Sequence, residues 1–246
     1  MAWPSALPPK ASQPPVSILT PTYNRRKFIP ALIDCIKSQA YPLERMEWVI
    51  LDDGTDCVED LIEPMKKIME VTYLRSDHKL NVSEKRNLLH KAARGKILVT
   101  MDDDDYYPPE RVSHAVFQLL GKKYELAGST RCFLYFADDK SIWEVGPYNE
   151  NHGTFGTMAY TKGYAMAHKC DESKTFAEEV EFTKRYTEPL CQLDPMKVML
   201  VICHEGNTFN KSKMRDGTNP MMKKTTLKIK SFIRDVKLRE FYAGLK

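Results

Sequence analysis

The sequence contains no apolar stretch long enough to cross a membrane as a helix. Such a span needs about 18 or more consecutive apolar residues, and no run in the 246-residue chain reaches that length. The amino terminus, MAWPSALPPKASQPP, also lacks the charged start and apolar core of a signal peptide. We therefore expect a soluble, cytoplasmic protein without a signal peptide or transmembrane segment.

Cysteine pairs with metal-binding or redox spacing are also missing. No CxxC motif occurs among the six cysteines, which are Cys35, Cys57, Cys132, Cys170, Cys191 and Cys203. We therefore expect free thiols, as in a reducing compartment, rather than a disulfide framework.

The composition is that of an ordinary globular protein, with 42% apolar and 28% charged residues. A length of 246 residues favours one α/β domain with extensions over two full domains. We divide the chain into a Pro-rich, disordered lead-in (1–15), a main domain (16–210) and a basic extension (211–246). The extension holds eleven Lys and Arg against three acidic residues. No nucleic-acid-binding motif accompanies this charge, so we expect no nucleic-acid partner.

The basic extension has apolar residues at helical spacing, and we expect it to be helical. These residues are Leu227, Phe232, Ile233, Val236 and Phe241. Three interpretations remain open: the segment packs on the main domain, lies on an anionic membrane surface, or contacts a partner domain.

The first half of the main domain alternates between strand and helix patterns. Continuous apolar runs in VSIL, WVIL, VTYL and ILVT are separated by segments with helical periodicity. Strands that are apolar on both faces are buried on both faces, which predicts a mostly parallel sheet flanked by helices. Ligands of open parallel sheets bind beyond the carboxyl ends of the strands. The polar residues 21–24, 52–55 and 102–105 follow three such ends.

Four consecutive aspartates, residues 102–105, follow the fourth apolar run. Two carboxylates about 4 Å apart repel by roughly 4 kcal/mol at an effective dielectric near 20. A solvated acidic loop would explain a charge run anywhere, but not one that follows a buried strand beside a second pair, Asp52 and Asp53. The pattern therefore favours Mg²⁺ or Mn²⁺ together with a substrate phosphate. A cation on a diphosphate would neutralise the charge that develops on a leaving group.

Other candidate residues each have a structural alternative. Tyr23 would stack on a nucleotide base or close the core, and Arg86 would reach a nucleotide or lie on a solvated helix face. Glu178 and Glu179, in FAEEVEF, offer a general base or acids favoured by the helix dipole. His204 ends an apolar strand, as a turn histidine or a metal ligand.

Four segments in this order resemble the family 2 glycosyltransferases, which transfer sugars from nucleotide diphosphates and have the GT-A fold. The segments are VSILTPTYNR, WVILDDGTD, NVSEKRNLLHKAARGKILVTMDDDDYYPPERV and FAEEVEFTKRY. They span residues 16 to about 186, and the strand before His204 extends the similarity to about 210. The resemblance implies a Rossmann-like, mostly parallel sheet, with a nucleotide-sugar half (16–111) and a smaller acceptor half (112–210).

The resemblance also implies roles for individual residues. Pro21 and Tyr23 would line the base and ribose pocket, Asp53 would accept from the uracil ring N–H, and Arg86 would contact the nucleotide. Asp102–Asp104 correspond to the D-x-D signature: Asp102 or Asp103 would touch the ribose. Asp104 would hold Mn²⁺ or Mg²⁺, and His204 resembles a metal-binding histidine of some relatives. Asp105 receives no role beyond a turn cap.

Glu179 lies where the family carries its catalytic base, which is usually Asp, and Glu178 is the alternative. The implied activity is a metal-dependent, inverting transfer from a UDP-sugar to a hydroxyl of a glycan or glycoconjugate. Two alternatives remain. A sugar nucleotidyltransferase would have a Gly-rich first loop, whereas TPTYNRRKF has no glycine. A non-catalytic nucleotide- or sugar-binding module would share the fold.

Overall fold

The computed structural model describes residues 9, 12–174, 177–207 and 211–245, apart from the side chains of residues 212 and 213. Most of the proposed lead-in (1–15) lies outside this part of the chain. Within it, no helix is both long and apolar enough to cross a bilayer. All six cysteines are free thiols, as expected, and only Cys57 is exposed.

The strands and helices alternate in the first half of the chain, as the apolar patterns predict. The strands are β1 (Val16–Thr22), β2 (Met46–Asp52), β3 (Glu70–Arg75), β4 (Ile97–Thr100), β5 (Leu126–Gly128), β6 (Cys132–Phe136), β7 (Ser141–Val145), β8 (Ala159–Thr161), β9 (Cys191–Gln192), β10 (Leu200–Cys203) and β11 (Met222–Lys224). The helices are α1 (Ile29–Lys37), α2 (Glu59–Ile62), α3 (Val82–Ala92), α4 (Arg111–Lys122), α5 (Lys162–Ala167), α6 (Glu179–Phe182) and α7 (Val236–Ala243).

The larger sheet has the order β3-β2-β1-β4-β8-β5-β9. Strands β1 to β4 are parallel to one another, whereas β8 runs antiparallel to both β4 and β5. Every residue of β2 and β4 is buried, because helices cover the parallel part of the sheet. This architecture confirms the predicted GT-A-type α/β fold.

A smaller sheet has the order β10-β6-β7-β11. Its β6–β7 hairpin turns at Asp138 and Asp139. Backbone hydrogen bonds join Tyr106 to Leu200, with N–O distances of 3.1 and 2.9 Å. This bridge connects the segment after the aspartates to β10, and so brings His204 to the acidic edge.

Helix α3 begins at a capping box and ends at Ala92, three residues before Gly95. Asn81 accepts from the Glu84 N–H at 2.9 Å, and Glu84 accepts from the Asn81 N–H at 2.7 Å, a reciprocal capping box. The chain then passes through Gly95, where a Cβ atom would lie 2.5 Å from the Ser17 nitrogen. Only glycine allows α3 to return this closely to β1.

Helical structure is short in two segments. The segment TFAEEVEFTKRY forms the short helix α6 within its described residues, because Lys184, Arg185 and Tyr186 adopt positive φ angles that end it. Phe176, which the sequence pattern places on the same helix, lies outside the described residues. The basic extension is not one helix: it contains β11, a 3₁₀ turn at Ile229–Ser231 and the helix α7.

The extension packs on the main domain, the first of its three interpretations. Phe232, Ile233, Leu238 and Tyr242 are buried in the same apolar cluster as β1 and α1. Val236, which was expected on the apolar face, is 55% exposed and makes the first turn of α7. Packing against the domain therefore decides which of these residues are buried, and the helical spacing does not.

Candidate functional site

A cavity of about 490 Å³ opens at the carboxyl ends of β1 and β4. Residues predicted to bind a nucleotide sugar or its metal line this cavity: Pro21, Tyr23, Arg86, Asp102, Asp103 and Asp104. The parallel strands end together here, so that loops distant in sequence meet at one edge. The structure therefore brings most of the predicted site residues together.

Asp53 lies beside the cavity and is not one of its lining residues. Its carboxylate accepts from Lys85 Nζ at 2.6 Å and from the Leu80 N–H at 2.7 Å, and the side chain is fully buried. Lys85 Nζ lies 5.6 Å from the centre of the Tyr23 ring, and Lys79 Nζ lies 4.4 Å from it. Asp53 thus holds one of the two cations that face Tyr23.

Arg86 connects the aspartates to the glutamate pair. Its guanidinium makes two hydrogen bonds to Asp102, at 2.6 and 3.0 Å, and lies 3.4 Å from Glu178 Oε1. It also lies over the Phe155 ring, 4.5 Å from its centre. The side chain is only 3% exposed, so it is not on a solvated helix face. Arg86 places Glu178 next to the cavity.

Asp104 is surrounded by nitrogen donors. Its Oδ2 atom lies 3.2 Å from His204 Nε2, 3.2 Å from Asn207 Nδ2 and 3.6 Å from Arg25. Burial would raise the pKa of Asp104, but the His204 hydrogen bond and the charges of Lys211 and Arg25 lower it below its ordinary value. Asp104 is therefore held as a carboxylate.

The neighbouring aspartates behave differently. Burial and the charge of Asp104 raise the pKa values of Asp103 and Asp105 well above the ordinary range. Asp105 also accepts from the Ile202 N–H at 2.8 Å, and its carbonyl accepts from the Tyr242 hydroxyl at 2.9 Å. Asp105 thus connects the acidic segment to β10 and α7, which is more than a turn cap.

The distance between the Asp104 and His204 side chains is suitable for two ligands of one divalent cation. Ligands about 2.1 Å from an octahedral ion, at right angles, lie about 3.0 Å apart, close to the 3.2 Å between these atoms. Phe28 supports the His204 ring, with 4.7 Å between ring centres. Within the described ranges, no three His, Cys, Asp or Glu side chains are placed to hold a metal. The remaining ligands would therefore come from phosphate and water, as is common for Mg²⁺.

Glu178 and Glu179 begin α6. Burial and the charge of Glu178 raise the pKa of Glu179 to about 7, although Arg86 opposes this effect. The Thr183 hydroxyl donates to the Glu179 carbonyl at 2.7 Å and fixes the short helix. A half-buried carboxyl with a pKa near 7 has the properties of a general base.

Sequence reasoning missed four polar residues of this site: Arg25, Lys79, Lys85 and Asn207. Arg25, Lys85 and Asn207 each lie within three positions of a residue that was identified, which was the available signal. Gly206 was missed as well: a Cβ atom there would lie 2.9 Å from Arg25 Nη1. No sequence pattern indicates that these two loops, which are far apart in the chain, approach each other so closely.

Curated proteins with similar sequences include bacterial glycosyltransferases. The chain is 31% identical over 104 residues to a putative teichuronic acid biosynthesis glycosyltransferase of Bacillus subtilis, covering 41% of this chain and 40% of the relative. It is 31% identical over 129 residues to a putative colanic acid biosynthesis glycosyl transferase of Escherichia coli, covering 52% and 43%. The chain thus spans less than half the length of these relatives.

Solved structures share the fold. Staphylococcus aureus TarS 1-349 in complex with UDP-GlcNAc has a TM-score of 0.62 and 19% identity, covering 78% of this chain and 60% of the TarS 1-349 chain. A Pyrobaculum calidifontis mannosyltransferase in complex with GDP-Man and Mn²⁺ has a TM-score of 0.61 and 16% identity, covering 84% and 62%. The model of one family, "Glycosyl transferase family 2", matches residues 17–176. With this match over more than half of its length, the chain belongs to glycosyl transferase family 2.

Proposed function

We propose that the protein is a metal-dependent, inverting glycosyltransferase. It transfers a sugar from a nucleotide-diphosphate donor, with UDP favoured, to a hydroxyl of a glycan or glycoconjugate acceptor. One observation carries this proposal: Arg86 contacts Asp102 in the cavity and Glu178 beside Glu179. A donor cavity and a carboxyl with a pKa near 7 therefore lie on either side of one guanidinium.

The donor proposal rests on the cavity and on what similar proteins bind. Pro21, Tyr23 and Asp102 line a space of about 490 Å³, within the range of small-molecule pockets. TarS has been solved with UDP and with UDP-GlcNAc, which favours uridine here. The role of Asp53 toward the uracil N–H is part of this proposal and requires a rearrangement on donor binding, because its side chain is fully buried beside the cavity and bonded to Lys85 and to the Leu80 N–H.

Asp104 and His204 would hold Mn²⁺ or Mg²⁺ on the diphosphate. When bound, the cation supplies Lewis-acid stabilisation of the departing nucleotide. Arg25 and Lys211 add positive charge beside Asp104. These two cations would favour the diphosphate over a neutral leaving group.

Glu179 would remove the proton from the acceptor hydroxyl, whose oxygen then attacks the anomeric carbon on the face opposite the diphosphate. Glu178 is the weaker candidate for the base, because its carboxylate is paired with the Arg86 guanidinium, 3.4 Å away. Its own negative charge contributes to the raised pKa of Glu179.

The experiment that tests this function measures binding and turnover separately. A panel of nucleotide sugars is screened for Mn²⁺-dependent thermal stabilisation, and then for release of the nucleotide with and without glycan acceptors. We expect a uridine-selective response. Stabilisation without any turnover would identify a binding module instead, and no response to any nucleotide would refute the proposal.

Two variants with matched controls assign the residues. Glu179→Gln should abolish turnover and keep nucleotide binding, whereas Glu181→Gln, on the exposed side of α6, should change neither. Asp104→Asn should weaken Mn²⁺-dependent binding of UDP, whereas the exposed Asp216→Asn should not. Near-normal turnover in Glu179→Gln would rule out this base, and unchanged UDP affinity in Asp104→Asn would rule out the metal ligand.

A further inference from the structure

Three aromatic rings form a row on the surface of the acceptor half. The His152 ring lies between Tyr148 and Tyr186, with 4.6 and 4.8 Å between ring centres and tilts of 47° and 36°. Tyr148 is 44% exposed at the outer end of the row. We call Tyr148, His152 and Tyr186 the aromatic row.

The loop that carries Tyr148 and His152 is fixed to the edge of the larger sheet. Gln192, in β9, donates to the carbonyls of Glu150 and His152 at 2.7 and 2.9 Å. The Tyr148 N–H donates to the Thr130 hydroxyl at 2.9 Å. The exposed ring of Tyr148 is therefore attached to ordered backbone, which lowers the entropy lost when a ligand binds.

Tyr186 is positioned by the same helix that carries Glu179. Lys184, Arg185 and Tyr186 have φ angles of 47°, 57° and 60°, which is an unfavourable conformation for residues other than glycine. The Thr183 hydroxyl accepts from the Tyr186 N–H at 3.1 Å and donates to the Glu179 carbonyl. Consecutive strained residues of this kind are typical of functional sites.

The aromatic row is close to the proposed base. Burial raises the pKa of Tyr186 to about 12, and the negative charges of Glu179 and Glu178 contribute to the rise. The Thr183 hydroxyl, bonded to both the Tyr186 N–H and the Glu179 carbonyl, joins the Tyr186 end of the row to the helix of the proposed base. From there the row extends outward to the exposed Tyr148, so that a molecule lying along it would have one end directed towards α6.

Among the described residues, the two cations that directly precede Tyr186 in the chain each have an acidic partner. Lys184 Nζ lies 2.6 Å from Glu188, and Arg185 Nε lies 3.6 Å from Glu181. An anionic lipid or phosphate acceptor would need free positive charge, whereas a neutral sugar offers C–H groups to aromatic faces and hydroxyls to polar edges. The chemistry of the row therefore favours an uncharged saccharide.

Building on the glycosyl transfer proposed above, we propose that the aromatic row binds a neutral pyranose ring of the acceptor and holds it beside Glu179. The acceptor is accordingly a saccharide or a glycoconjugate that is recognised through its sugar. Tyr148 contacts the outer part of this acceptor, and Tyr186 contacts the part nearest to the reacting hydroxyl.

The test follows the His152 ring by NMR in the full chain, with UDP and Mg²⁺ present. The probes are the methyl β-glycosides of glucose, galactose and N-acetylglucosamine, and the corresponding β-linked disaccharides. We expect at least one probe to shift the His152 signals. Tyr148→Ala should then weaken its affinity by about fivefold or more, and Tyr148→Phe, which keeps the ring, by less than about twofold.

Two further variants and a measurement of UDP binding distinguish failure of this inference from failure of the proposed function. Tyr186→Ala should also weaken saccharide binding, while Tyr124→Ala, an exposed tyrosine outside the row, should not. Thermal stabilisation by UDP should be equal in all variants. The inference is overturned if UDP binds but no saccharide shifts His152, or if both alanine variants bind saccharide as the wild type does. Loss of UDP binding in the wild type would instead refute the proposed function.

Discussion

At the scale of single residues, carboxyl groups that are adjacent in the sequence have different pKa values, because different groups surround them in the folded protein. Asp104 is held as a carboxylate by His204 and two cations, whereas burial and the charge of Asp104 favour protonation of Asp103 and Asp105. Glu178 contacts Arg86, and its negative charge helps to raise the pKa of Glu179. The partners of each carboxyl decide its role, and most of those partners are distant in sequence.

The raised pKa of Glu179 predicts a pH profile for glycosyl transfer. A general base acts when deprotonated, so the rate should fall about tenfold per pH unit below the pKa of about 7. Removing the Glu178 charge in Glu178→Gln should lower this apparent pKa, though only in part, because burial is the larger cause. Rates with saturating donor between about pH 5.5 and 8.5 measure both effects. A flat profile would contradict the assignment.

His90 predicts acid sensitivity of the fold. Burial, with help from the charges of Arg86 and Lys162, lowers its pKa to about 3, while Nε2 lies 2.6 Å from the Tyr160 hydroxyl. Between pH 6.5 and 3 the unfolded chain binds this proton and the folded chain does not, so stability falls as pH falls. The loss from pH 7 to pH 5 should be about 2 kcal/mol.

Urea unfolding at the two pH values measures this loss. His90→Gln should be less stable at pH 7 and should show a pH dependence smaller by about the same amount. The exposed His78→Gln is the matched control and should retain the full dependence. An unchanged pH dependence in His90→Gln would mean that other groups cause it.

At the scale of elements, close backbone contacts between helices and strands place the site. Glu47, in β2, accepts from the Ser17 hydroxyl and from the Gly95 N–H at 2.5 and 3.1 Å, and so connects the end of α3 to β1 and β2. The α3 helix is thereby aligned so that Lys85 and Arg86 reach Asp53 and Asp102. The close contact between Gly95 and Ser17 therefore leaves no room for a larger residue at position 95.

One substitution should have opposite effects at two glycines. Gly95→Ala places Cβ 2.5 Å from the Ser17 nitrogen within a parallel sheet, and should destabilise the fold by about 3 kcal/mol. At Gly163, exposed in α5, the nearest atom is 3.8 Å away, and alanine should stabilise by about 0.5–1 kcal/mol. Denaturant midpoints of the two variants test this, and equal midpoints would contradict the packing explanation.

At the scale of the whole molecule, the basic extension completes the core beneath the acidic loop. Tyr242 is 1% exposed and its hydroxyl donates to the Asp105 carbonyl at 2.9 Å. Lys237 also lies 3.2 Å from Asp34 in α1. The carboxy-terminal segment therefore packs against the acidic loop and α1, and does not form an independent unit in the structure.

This packing predicts graded effects at Tyr242. Tyr242→Phe removes one buried hydrogen bond and should lower the free energy of unfolding by about 1 kcal/mol. Tyr242→Ala also leaves a cavity and should cost about 3–5 kcal/mol. The exposed Tyr124→Phe is the control and should be neutral. If Tyr242→Ala were as stable as the wild type, the extension would not be part of the folded core.

The sequence by itself determined the strand–helix alternation and the acidic edge, because hydrophobic periodicity and charge runs are local properties. It also identified Asp104 with His204, and Arg86 with Asp102, as members of one site. Only the tertiary structure decided that Arg86 joins Asp102 to Glu178, that Asp105 supports β10 and α7, and that Tyr148, His152 and Tyr186 meet. It also divided the basic extension into β11, a 3₁₀ turn and α7, with Phe232, Ile233, Leu238 and Tyr242 buried in the core of the main domain. These outcomes depend on distances between segments far apart in the chain, which are set by packing and burial and which no local pattern contains.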